Sequence, residues 1–66
     1  MMTLRDVGTR LNHIEAVARH PAAAHEASDE LLAEVLIAIA AGATNPAELA
    51  AEALQVLDID FPRSFG

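Results

Sequence analysis

The stretch ELLAEVLIAIAAGATNPAELAAEAL, residues 30–54, contains the most apolar run of the chain, then a glycine, a proline four residues later, and a second apolar pattern. Gly42 is a natural residue just past a helix C-terminus, where left-handed backbone carries no Cβ penalty. Asn45-Pro46-Ala47-Glu48 reads as the start of the next helix. It supplies an N-cap, a proline at the first helical position, and a glutamate able to reach back as in a capping box. So few residues between the two signals predict a helical hairpin or a sharper corner. The second helix of this pair spans about 46–57, with Leu49, Ala53, Val56 and Leu57 on one face and Leu54 at its margin.

Read backwards from Gly42, the preceding helix covers 21–41 and begins at Pro21, or at a second possible cap, Ser28. Leu31, Leu32, Val35, Leu36 and Ile39 fall on one broad face of it. Glu26, Glu30 and Glu34 fall on the other, and Ile37 projects on that acidic side with Ala33, Ala40 and Ala41 beside it. A helix that is apolar nearly all round in its C-terminal half is normally buried on more than one side. Upstream, Leu4, Val7, Leu11, Ile14 and Ala18 recur at three- and four-residue spacing, which predicts a first helix over 3–19, capped by Thr3 and ended by Pro21. Asp6–Arg10 and Glu15–Arg19 stand at i,i+4 with the acid first, the favourable order on an exposed face.

The chain closes on DIDFPRSFG. Ile59 and Phe61 alternate with Asp58 and Asp60, and Pro62 forbids a helix, so 58–66 reads as an extended strap. Phe61 and Phe65 are the only aromatic residues. They are expected to cover a groove between helices, in the same chain or a neighbouring one, or else to anchor another protein.

Sixty-six residues allow one domain. Much of the 53% hydrophobic content is alanine, and the larger aliphatics are eight Leu, four Val and four Ile. Chains this small commonly need a disulfide, a metal, oligomerisation or a partner. The absence of cysteine excludes disulfides and thiolate metal sites. Ten acidic residues against four arginines give a formal charge of −6. That disfavours nucleic acid and anionic membranes, and suits a basic host or viral protein as partner. The opening MMTLRDVGTRLNH has no apolar core of the kind a signal peptide needs, and Val35 to Ala41 falls far short of a membrane span, so the reading is a cytoplasmic protein.

Candidate chemistry is sparse. His25, Glu26 and Asp29 are the best metal-ligand grouping, with His13, His20 and Glu30 as further donors, yet no H-E-x-x-H is present. The hydroxyls of Thr3, Thr9, Ser28, Thr44 and Ser64 lack a nucleophile-elbow context, and the scattered glycines build no phosphate loop. Glu26, Glu30 and Glu34, at i+4 spacing with no base between them, read either as a strip for a partner's Arg or Lys, or as a solvated face paired with Arg10 or Arg19.

VLIAIAAGATNPAELAAEAL resembles the opening of a helix-turn-helix or winged-helix domain over about twenty residues. A basic recognition helix would have to follow, and QVLDIDFPRSFG follows instead. More broadly, HEASDELLAEVLIAIAAGATNPAELAAEAL with the IDFPR ending is similar to short alanine-rich proteins of actinobacteria and their phages. That resemblance implies a genomic setting rather than a mechanism.

The expected fold is all-α: a small three-helix bundle with helix 2 central, helices 2 and 3 as a hairpin, and the C-terminal strap. The expected function is a non-enzymatic protein-binding module without cofactor or metal, a small accessory or regulatory protein that self-associates. Its partner-binding residues are Phe61, Phe65, Ile37, Glu26, Glu30 and Glu34. The alternatives are a DNA-associated regulator built on the truncated helix-turn-helix, and a metal-dependent catalyst or sensor using His25, Glu26 and Asp29.

Overall fold

The computed structural model describes residues 2–60. Three helices follow one another, α1 (Leu4–Ala16), α2 (Pro21–Ala40) and α3 (Pro46–Ala53), and α3 runs on into a 3-10 segment, Leu54–Asp58. Each helix packs against the other two, which makes a small three-helix bundle with α2 and α3 as its hairpin. The strap expected over 58–66 enters the description only at its first residues: Ile59 has extended backbone and packs on the core. Phe61 and Phe65 lie outside the described residues.

Thr3 caps α1 as its sequence predicts. The Asp6 backbone N–H donates to Thr3 Oγ1 at 3.1 Å, and the Thr3 N–H donates to Asp6 Oδ2 at 2.8 Å, a complete capping box. These hydrogen bonds to Thr3, backbone first and side chain second, hold the Asp6 carboxyl below its ordinary value. A depressed carboxyl stabilises the fold above its unfolded pKa, and that contribution is lost as pH falls through the folded value. The α1 amides are therefore expected to lose protection, relative to their intrinsic exchange rates, below about pH 4, an acid sensitivity that Asp6→Asn removes; hydrogen exchange measured on both proteins checks it. The helix ends at Ala16 rather than Arg19. Pro21 pushes His20 out of helical backbone, and the 17–20 turn tightens through the His20 N–H to Val17 C=O bond of 2.8 Å. Arg19 thus loses the register that a pair with Glu15 requires.

In α2 the buried face is the expected one except at Leu36. Ala24, Ser28, Leu31 and Val35 are buried, Leu32 and Ile39 are half-buried, and Leu36 is 65% exposed. Ala24 and Ser28, at three- and four-residue spacing from Leu31, prolong that face towards the N-terminus, while Ala22, Ala23, Ala33 and Ala40 are exposed. Alanine and serine on that face allow close backbone approach, and the leucines set only part of the contact. Ser28 is no cap. It lies inside the helix, with its hydroxyl donating to the Ala24 carbonyl at 2.8 Å, which satisfies a buried polar group. Gly42 follows the C-cap with φ +97°, the left-handed conformation its position predicts.

Pro46 opens α3 and Glu48 lies in its first turn, but Asn45 makes no side-chain cap and the expected capping box does not form. The Asn45 carbonyl instead accepts from the Leu49 N–H at 3.1 Å. From Leu54 the chain tightens to three residues per turn, so side chains at i and i+3 eclipse. Ala53 and Val56 are buried in that register and Ile59 follows them onto the core. Leu57, expected on the buried face, is turned out at 61% exposure, and Leu54 is exposed with it.

Candidate functional site

The N-terminal half of α1 lies beside the C-terminal half of α2, so the two helices run antiparallel. Arg10, on α1, reaches across rather than back to Asp6, which is held by the cap. Its guanidinium is in direct contact with Glu34 Oε2 and lies 3.9 Å from Glu30 Oε2. The hydrogen bond to Glu34 raises the Arg10 pKa further above an already high value. Two of the three stripe glutamates therefore share an intramolecular cation, and Glu26 stands exposed at the other end of the row. Glu34 also forms the wall between two open depressions. One, of about 380 Å³, is lined by Met2, Asp6, Thr9 and Arg10. The other, of about 460 Å³, is lined by Met2, Ile37, Ala38 and Ala41 and is almost wholly apolar.

The second depression meets the outer side of α2 at Ile37. There Ala33, Leu36, Ile37 and Ala40 are all exposed, at i, i+3, i+4 and i+7, one face of the helix. Leu36 and Ile37 are 65% and 66% exposed, the two most exposed large apolar side chains among the described residues. Sequence periodicity singled out Ile37 and its alanines but assigned Leu36 to the core. The same four-residue spacing could have recovered Leu36, because the helix carries two apolar faces and only one can meet α1 and α3. Towards the N-terminus this outer face continues as Glu26, Asp29 and Glu30, all exposed. It is acidic in its first half and apolar in its second.

No protein-family model, curated protein or solved structure matches the chain. The site is therefore read from its own side chains.

The metal-ligand candidates converge only as a pair. His25 Nε2 lies 3.6 Å from Asp29 Oδ2 across one helical turn, the histidine half-buried and the aspartate exposed, and Glu26 is not part of the contact. Among the described residues no three His, Cys, Asp or Glu side chains are placed to hold an ion. Buried side-chain polar atoms there all have hydrogen-bond partners. In the helix-turn-helix position, α3 and its 3-10 extension carry no basic residue between Pro46 and Asp58. Of the expected partner-binding residues, Ile37 takes its place on the apolar outer face and Glu26 on its acidic continuation, while Glu30 and Glu34 lean to Arg10. No helix among the described residues is long and apolar enough to cross a membrane.

Proposed function

We propose that this chain is a non-enzymatic protein-interaction module whose working surface is the outer face of α2. The observation that carries this reading is the pairing of Leu36 and Ile37 in solvent between two alanines. Burying what remains exposed of each would contribute about 1–2 kcal/mol, in proportion to the apolar area removed from water. The flanking alanines let a second helix approach closely, and the cleft beside Ile37 offers a seat for one bulky side chain. A small accessory or regulatory protein that works by covering a surface on another chain needs little more than this. The acidic half of the face favours partners that place neutral or basic groups there.

Site-specific photo-crosslinking in the source cell tests the reading. A benzophenone amino acid at position 36 is expected to yield a discrete covalent adduct on irradiation. The same group at Glu15, exposed on α1, is expected to yield none. Absence of any discrete adduct from position 36 would rule the surface out.

A further inference from the structure

We propose that the occupant of this face is a second copy of the same chain, laid antiparallel across α2 about a two-fold axis between Leu36 and Ile37. The inference rests on the reading above and adds the identity and orientation of the partner. Along the outer face the order is Ala33, Leu36, Ile37, Ala40: small, large, large, small, and the same in either direction. A two-fold axis at its midpoint sets each alanine opposite the other alanine of the second copy, and each large residue opposite the other large residue. Symmetric dimers require this self-complementarity, because one patch must serve both sides. Leu36 of the second copy then meets Ile37, at the edge of the cleft that Met2, Glu34, Ala38 and Ala41 also line.

Charge selects the orientation. From Leu31 to Ala41 the only ionisable side chain is Glu34, and Arg10 holds it on the α1 side. An antiparallel overlap of these halves therefore brings no like charges face to face. Glu26, Asp29 and Glu30 are carried beyond the end of the other helix. A parallel arrangement would stack each of those acids on its own copy, which is unfavourable at every step. The overlap is short, about 12 Å of helix. Its four side chains from each copy are far fewer than the roughly 20–30 residues a side of a standard stable interface. The dimer is accordingly weak, forming in the high-micromolar range. Because each copy carries −6, added salt strengthens it by screening the repulsion between copies.

Sedimentation equilibrium on the purified chain from about 20 µM to about 1 mM, the window in which weak interfaces populate, is the primary test. It is run at low and high salt with wild type and Ile37→Glu. Since the chain has no cysteine, single thiols report orientation without ambiguity. Ile37→Cys and Glu26→Cys are oxidised in parallel. The expected result is a monomer–dimer equilibrium that tightens with salt, an Ile37→Glu variant that stays monomeric with unchanged helicity, and cross-linking about tenfold faster through position 37 than through position 26. A wild-type chain that is monomeric at the highest concentration overturns the proposal, as does equal or faster cross-linking through position 26. A cellular adduct from position 36 to a different protein, with a monomeric purified chain, sinks the self-pairing while leaving the interaction surface standing. Loss of both signals sinks both.

Discussion

Leu31→Ala and Leu49→Ala are each expected to remove most of the folding stability of this chain. Both leucines are fully buried, one on α2 and one on α3. They belong to a core that also holds Val7, Leu11 and Ile14 of α1 and Val56 beyond α3. Truncating a buried leucine costs about 2–5 kcal/mol, the transfer of the lost methyl groups plus the cavity left behind. A domain of this length has roughly 3–10 kcal/mol in total, so one such cavity takes a large share of it. Urea titration followed by far-UV circular dichroism should show the midpoint falling steeply for both variants, with loss of a folded baseline for the less tolerant one. A loss below about 1 kcal/mol at either position would mean that the site collapses around the missing atoms and is not a close-packed contact.

The opposite substitution, adding volume, is the second large effect. Ala24 is fully buried near the start of α2, one turn before the buried Ser28. Their small side chains set how closely that end of the helix approaches its neighbours. Ala24→Leu forces three more carbon atoms into this contact and is expected to cost about 1–3 kcal/mol through strained rotamers and a displaced helix. Ala23→Leu, one residue earlier and exposed, is the control and should change stability by no more than about 0.5 kcal/mol. Thermal unfolding of the two variants side by side checks this, with several degrees per kcal/mol expected for a domain of this size. Equal melting temperatures would show that Ala24 faces spare room.

These two positions also mark how far the sequence could be read. Helix number, order and most boundaries were legible because punctuation is local: Thr3 with Asp6, Pro21, Gly42 and Pro46 each act through their own backbone geometry. The buried face of α1 was legible as well, since that helix has one apolar stripe. On α2 the periodicity is ambiguous, because Leu31, Leu32, Val35, Leu36, Ile37 and Ile39 cover most of its circumference. Ala24 and Ser28 share the stripe of Leu31 and Val35 at three- and four-residue spacing, and Leu36 is the large residue that falls outside it. At Leu57 the difficulty was the change of helical pitch after Ala53, which moves Val56 inward and Leu57 outward. Nothing in LQVLD announces that tightening. The Arg10 contact with Glu34 was legible only as one of several possible partners, because it depends on how two helices are set side by side.

Helix α2 has two apolar faces, one closing the bundle and one, exposed at Leu36 and Ile37, proposed to meet another chain. Equilibrium urea unfolding of the Leu36→Glu, Ile37→Glu double variant, at protein concentrations too dilute for association, tests that division most directly. Two new carboxylates on a free surface should leave the unfolding free energy within about 0.5 kcal/mol of wild type. A loss of about 2 kcal/mol or more, the scale of a disrupted core, would show that Leu36 and Ile37 belong to the interior of this chain and contradict the assignment.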